Sequence, residues 1–306
     1  MRFSRSARST RAADMVAVVD LGSNSFHLLV AHLDHGQLHV LDRLQEMVRL
    51  AAGLDAQGRL DKVTMNRALD CLARFGERLR GIPTANVRAV ATATLRRARN
   101  GSTFLRRAGR TLGRRIEVIS GPEEARLIYQ GVAHDLPRHD EQRLLIDIGG
   151  GSTEVILGQG PRAQLMESLH IGCVSLSRAH FPDGCITPKR WRRAETAARL
   201  EFKPIEAQFR ARGWEAAYGS SGTIRTVAAV LKGLGIEDEG IGARGLDSLR
   251  ARLLDAGHVK RLDLPGLSLE RVPVFPGGLA ILAAAFRALG LKHLAVTDSA
   301  LREGLL

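Results

Sequence analysis

The sequence predicts an α/β protein made of two related halves that face each other across a cleft. Three observations carry this. Asp20-Leu-Gly-Ser-Asn-Ser25 and Asp147-Ile-Gly-Gly-Gly-Ser152-Thr-Glu154 read almost alike and lie 127 residues apart. Each stands between two apolar runs, residues 16–19 and 26–30 for the first and 144–146 and 155–157 for the second. That is a strand, a tight polar loop and a returning strand, written twice. After each hairpin, helical and strand patterns alternate, so each half forms its own layered α/β unit with the ligand site between them.

The elements follow in order. Residues 1–13 carry Arg2, Arg5, Arg8 and Arg11 among Ser, Thr and Ala and read as a disordered basic tail. Strands are predicted at 15–20, 25–33 and 37–43. A helix at 64–80 places Met65, Ala68, Leu69, Leu72, Phe75 and Leu79 on one stripe at helical spacing. Residues 87–91 read as the next strand, 102–112 as a helix and 116–119 as a short strand. Ser120 then opens a helix to about His134, with Pro122 in its first turn and Glu123 at capping-box spacing.

Pro137 and the polar run 138–142 mark the join, giving an N-terminal domain at 14–135 and a second domain at 136–306. The second half restarts with strands at 143–148, 152–158 and 163–170. A long helix is predicted from Pro188 to Ala211. A strand at 216–218 leads through Gly219-Ser-Ser-Gly222 into a helix ending near Leu231. Helices at 246–256 and 278–289, a strand at 293–296 and the amphipathic start of a helix in Ala300-Leu-Arg-Glu-Gly-Leu-Leu306 complete the chain.

An apolar content of 44% with 25% charged residues describes a globular protein rather than a disordered chain. No uninterrupted apolar run approaches the roughly 20 residues that span a bilayer, and no apolar signal core opens the sequence. A cytoplasmic location is therefore expected. Cys71, Cys173 and Cys185 are odd in number and lack metal-site spacing, which suits a reducing compartment. The net charge of +13, mostly from arginine, points to an anionic partner, and eight arginines with no acid lie between Arg96 and Arg115. Aromatics are only 4%, too few for base-stacking platforms, so no specific nucleic-acid partner is expected.

The two hairpin loops carry the chemistry. Gly22 and Gly149, Gly150 and Gly151 let backbone amides approach an anion closely. Ser23, Asn24, Ser25, Ser152 and Thr153 add side-chain donors. Ser220, Ser221, Gly222 and Thr223 form a third phosphate-loop candidate at a helix N-terminus, where Ser221 or Thr223 serves equally well as an ordinary N-cap. With Glu123 occupied by capping, Glu124 is free to act as a general base. Asp20, Asp147 and Glu154 flank the loops and, with phosphate oxygens, supply the usual environment of Mg²⁺. Arg96, after an apolar strand and two threonines, is a clamp for a terminal phosphoryl group.

Together these stretches resemble the exopolyphosphatase/guanosine pentaphosphate phosphohydrolase family. The matching segments are D-L-G-S-N-S at 20–25, A-T-A-T-L-R at 91–96, I-S-G-P-E-E-A-R-L-I at 119–128 and D-I-G-G-G-S-T-E at 147–154. They continue with M-E-S-L-H-I-G-C-V-S at 166–175, G-S-S-G-T-I at 219–224 and A-L-R-E-G-L-L at 300–306. The stretches around Phe26-His27 and 124–128 resemble bacterial exopolyphosphatases in particular.

The resemblance implies two ribonuclease-H-like domains of the actin/hexokinase/heat-shock-ATPase superfold. It also implies a phosphoric anhydride hydrolase that releases terminal phosphate from inorganic polyphosphate with Mg²⁺. Glu124 would be the catalytic base, Arg96 would bind the phosphoryl group, and Asp147 and Glu154 would hold the metal or water. Longer members carry a further helical domain after the A-L-R-E-G segment. Its absence from this sequence puts processivity, long-chain affinity and a homodimer in doubt. Guanosine pentaphosphate hydrolysis is the nearest alternative, since its chemistry is identical. A sugar or acyl kinase of the same superfold, or a non-catalytic polyanion-binding protein, are the more distant ones.

Overall fold

The computed structural model describes residues 14–35, 37–136 and 140–306. The basic tail at 1–13 and part of the join at 137–139 lie outside the described residues.

Strands β1 (Met15–Leu21), β2 (Phe26–Asp34), β3 (Gln37–Glu46), β4 (Val87–Ala91) and β5 (Ile116–Val118) form a sheet in the order β3-β2-β1-β4-β5. The second sheet contains β6 (Gln142–Ile148), β7 (Thr153–Gln159), β8 (Arg162–Leu169), β9 (Ala216–Ser220), β10 (Ile241–Gly242) and β11 (His293–Val296). Its order, β8-β7-β6-β9-β11-β10, repeats the first with one added edge strand. In both sheets the central strand pairs antiparallel with its hairpin partner and parallel with the strand beyond it. This is the paired ribonuclease-H-like architecture that the family resemblance implied.

The duplication is exact in register. Asp20 on β1 stands opposite His27 on β2 and beside Val90 on β4. Asp147 on β6 stands opposite Glu154 on β7 and beside Ser220 on β9. Both acids therefore end parallel-paired strands, the position where open α/β sheets bind ligands.

Helix α1 (Lys62–Arg78) buries Ala68, Cys71, Leu72 and Phe75 at helical spacing against the first sheet. It starts before the predicted residue 64 because Asp61 caps it, accepting from the Thr64 amide at 2.7 Å. Two short helices precede β5: α2 (Ala93–Arg97), which sequence periodicity does not reveal in five residues, and α3 (Gly101–Leu112), which ends on Gly113 at φ 70°.

Helix α4 (Gly121–Asp135) is capped by Ser120, which accepts from the Glu123 amide at 3.2 Å. The reciprocal half of the expected capping box is absent. The Glu123 carboxylate instead takes two hydrogen bonds from Arg126, each 2.7 Å. Although α4 precedes the join in sequence, it packs on β7 and β8 of the second sheet and on the last helix, α10 (Leu301–Leu305). Val18, Leu29, Val90, Leu127, Leu145, Ile156, Leu301 and Leu305 share one core there, so both halves meet through these two helices.

The second sheet is covered by α5 (Cys173–His180), α6 (Pro188–Arg212), α7 (Ser221–Gly233), α8 (Ala243–Ala256) and α9 (Phe275–Leu289). Helix α5 has no counterpart in the sequence reading, since its polar and apolar residues alternate without a clear stripe. Residues 272–289 have the length and apolar composition of a membrane span, but 78% of that window is buried inside the protein. It is the core helix against which α5 and α6 pack.

Candidate active site

The two hairpin loops face each other across a cleft. Its floor is Gly22, Ser23, Asn24 and Ser25 from the first loop and Gly149, Gly150 and Ser152 from the second. The loop tips touch. A Cβ on Gly150 would lie 2.9 Å from the Ser23 Cβ and 3.1 Å from the Asn24 nitrogen, and one on Gly172 would overlap the backbone of Gly150 and Gly151. Thr94 braces the first loop by donating to the Ser23 hydroxyl at 2.7 Å. From behind, the amides of Arg49 and Ala51 donate to the carbonyls of Asn24 and Ser23 at 2.6 and 2.8 Å.

Glu124 enters the cleft from the first turn of α4, where its carboxylate faces the helix N-terminus. Burial pushes its carboxyl from 4.5 up to about 8, against the pull of Arg96. Asp20 is likewise pushed up to about 7 by burial, partly offset by Arg302, and its Oδ1 has no hydrogen-bond partner. Asp147 is raised by burial and eased by a short hydrogen bond from Ser220.

Arg96 is not on the cleft wall. It donates to the Glu124 carboxylate at 3.1 Å and to the Ile119 carbonyl at 2.8 Å. The five-residue α2 ends at Arg97 and brings this guanidinium to the carboxylate on α4. In this structure Arg96 therefore holds Glu124, which lines the cleft. Arg96→Ala should lower turnover roughly ten- to hundredfold with little change in KM, measurable by steady-state phosphate release. A purely higher KM would restore the direct clamp.

Four other expected contributors also sit off the wall. Glu154 is buried, accepts from Ser168 at 2.8 Å and is raised well above its usual range by burial and by neighbouring Glu124. Thr153 is fully buried and donates to the Ile171 carbonyl at 2.7 Å. Ser220 is fully buried against Asp147, and Gly151 faces a groove on the other side of the tips. Thr153 opens β7, where its side chain is turned into the core.

Ser221, Gly222 and Thr223 do line the cleft. Ser221 opens α7 at φ 89°, a conformation rare for a side chain with a Cβ, and accepts from the Ile224 amide at 3.3 Å.

The sequence reading missed four basic cleft residues: His27, Arg225, Arg271 and Arg302. His27 could have been found from the duplication, since it is the counterpart of Glu154. Burial pushes its imidazole down to about 3, helped by Arg302. The ring is therefore neutral, placed between the Ser25 hydroxyl at 2.8 Å and the Arg302 guanidinium at 3.2 Å. Arg271 lies over Gly222, where any Cβ would collide with its guanidinium. Burial lowers its pKa, and among the described residues it forms no salt bridge. Three arginines from three separate elements thus face the loops.

A divalent cation fits this donor set. Asp20 and Asp147 are buried, and each carboxylate is disfavoured by its surroundings, with one oxygen of Asp20 unpartnered. Among the described residues no three His, Cys, Asp or Glu side chains cluster as a ready-made metal cage. Mg²⁺ commonly takes one or two carboxylates and completes its shell with substrate and water oxygens, so Asp20 and Asp147 are the residues that would hold it.

A model of the Ppx/GppA phosphatase family matches residues 29–306. Among solved structures, the PPX-GPPA enzyme of Aquifex aeolicus is 27% identical with a TM-score of 0.76, over 95% of this chain and 98% of that one. An exopolyphosphatase from Cytophaga hutchinsonii is 25% identical with a TM-score of 0.85, over 95% and 96%. Both are matched over nearly their whole length.

Proposed function

This chain belongs to the Ppx/GppA phosphatase family, and on that premise we propose that it is an exopolyphosphatase that releases the terminal phosphate of inorganic polyphosphate. The observation that carries this is the composition of one cleft. It has two glycine-serine loops to cradle oxygens, Arg225, Arg271 and Arg302 to neutralise a phosphate chain, and a buried carboxylate from Glu124 beside them. The likeness to an exopolyphosphatase of known structure supports the same substrate.

The mechanism follows from these residues. The chain's terminal phosphates lie on the loop amides and the hydroxyls of Ser23, Ser25, Ser152 and Thr223. Arg225, Arg271 and Arg302 offset charge that would otherwise repel Asp20 and Asp147. Glu124, once deprotonated and held by Arg96, accepts a proton from a water aligned with the terminal phosphorus. The P–O bond to the shortened chain breaks, and the same donors stabilise the charge that moves onto the leaving oxygen. Asp20 and Asp147 would hold Mg²⁺, whose charge would shield the phosphates when bound.

The test is phosphate release from long polyphosphate and from guanosine pentaphosphate, run in parallel for the parent chain and Glu124→Ala. Release from polyphosphate that disappears in the variant supports the proposal, and release from the nucleotide alone transfers the activity to the second substrate. Turnover on polyphosphate should also fall steeply as ionic strength rises, because the screening length shrinks from about 30 Å at 0.01 M to about 8 Å at 0.15 M salt. A flat salt profile would argue against a polyanionic substrate.

A further inference from the structure

Far along the first half, the arginine run from Arg96 to Arg115 has a face that catalysis does not use. An open, shallow face is lined by Arg106, Arg110, Arg114 and Arg115 with Thr84, Leu105, Gly109, Gly113 and Ile116. Arg106, Arg107, Arg110 and Arg115 are exposed. Arg114 is different: it is half-buried and donates to the carbonyls of Leu79, Ile82 and Gly113, which ties α3 to the end of α1.

Elsewhere on the surface several arginines pair with acids. Arg74 pairs with Glu46, Arg80 with Glu77, Arg126 with Glu123, Arg190 with Asp183 and Arg210 with Glu206. Among the described residues none of the arginines on the α3 face forms a salt bridge, and no acid lies between residues 96 and 115. Arg106 and Arg110 stand one turn apart on α3, and Arg114 and Arg115 follow just past its end at Leu112. Such an uncompensated cluster repels itself until an anion covers it.

We propose that this α3 face is a second binding site for the distal part of long polyphosphate chains, separate from the catalytic cleft. The proposal rests on the exopolyphosphatase reading. A flexible chain of phosphates needs only a line of guanidinium groups, whereas a nucleic acid would be expected to meet aromatic or amide side chains that address bases, and this face has none. Engagement at two points raises the effective concentration of the chain end at the cleft without any new contact there.

The experiment uses a variant in which Arg106, Arg107, Arg110 and Arg115 are all changed to Gln, leaving Arg114 and its structural bonds intact. A control removes the same charge from α6: Arg192, Arg193, Arg199 and Arg212 to Gln, all exposed. Each set is also placed in a Glu124→Gln background, and equilibrium binding of long polyphosphate, tripolyphosphate and duplex RNA is measured by filter retention. An exposed ion pair is worth up to about fivefold in affinity, so the α3 set should weaken long-chain binding by roughly tenfold or more. Tripolyphosphate binding and turnover should stay unchanged, and the α6 control should bind the long chain as the parent does.

Unchanged long-chain binding in the α3 variant overturns the proposal, as does an equal loss in the control, which would reduce the effect to net charge. Loss of RNA binding alone assigns the face to nucleic acid and overturns it too. Binding is read apart from turnover. If the parent chain hydrolyses only guanosine pentaphosphate, the proposed function falls, and the α3 site is still decided by the binding arm.

Discussion

Glu124→Gln is expected to eliminate phosphate release, by a factor of roughly 10²–10⁴, and at the same time to stabilise the protein at neutral and alkaline pH. The first effect follows from removing the cleft carboxylate that Arg96 holds at the start of a helix. The second follows from burial, which raises the Glu124 carboxyl from 4.5 to about 8. A folded-state pKa above the unfolded one means that the native state holds the proton more tightly. That contribution to stability is complete below about pH 4.5 and is lost as the pH rises through about 8. The amide cannot ionise and escapes the loss.

In buffer containing a chelator, the variant and the parent should therefore melt together near pH 4.5 and diverge above it. By pH 8 the gap should be on the order of 4 kcal/mol, several degrees for a chain of this size. Equal melting temperatures at pH 8 would show that the carboxylate sits there without energetic cost. Activity that survives the substitution would remove Glu124 from the mechanism altogether.

Gly304→Ala should damage both stability and turnover, against the direction that helix propensity predicts. In an exposed helix the change would stabilise by about 1 kcal/mol. Here a Cβ on Gly304 would overlap the Leu127 carbonyl, and one on Gly131 would overlap the Ala300 carbonyl. Helices α4 and α10 meet backbone to backbone at these two glycines. Forcing a methyl between them should cost about 1–3 kcal/mol through displaced packing. Because α10 carries Arg302 into the cleft and α4 carries Glu124, separation of the helices should also lower kcat. Thermal melting and steady-state kinetics on the same preparation check both. An unchanged or higher melting temperature would refute the close contact.

The duplicated hairpins were legible because two short periodic patterns with identical turn chemistry are hard to mistake, and the structure sets Asp20, Asp147 and both loops on one cleft. Glu124 was legible because Ser120 and Pro122 fix the helix start and leave it without a local role. What could not be read was direction. Whether Arg96 turns to the loops or to Glu124 depends on the five-residue α2, too short for any periodic signal. Arg225, Arg271 and Arg302 come from elements with separate sequence contexts, and only tertiary packing brings them to one cleft. The placement of α4 over the second sheet has the same cause. A helix with apolar positions on several sides gives no sign of which sheet it will cover.

The contact between the loop tips has a mechanical consequence. Ser23 and Asn24 rest on Gly150, and Gly172 rests on the same turn, with no room for a methyl group at either place. The two sheets cannot be pressed together along that line, so any relative movement has to rock about it as a lever rocks on a fulcrum. In front lies the phosphate cleft. On the far side lies a groove lined by Ala51, Thr94, Arg97, Gly151 and Arg178, and there Arg178 reaches across to the carbonyls of Ala51 and Leu54 at 2.5 and 2.7 Å.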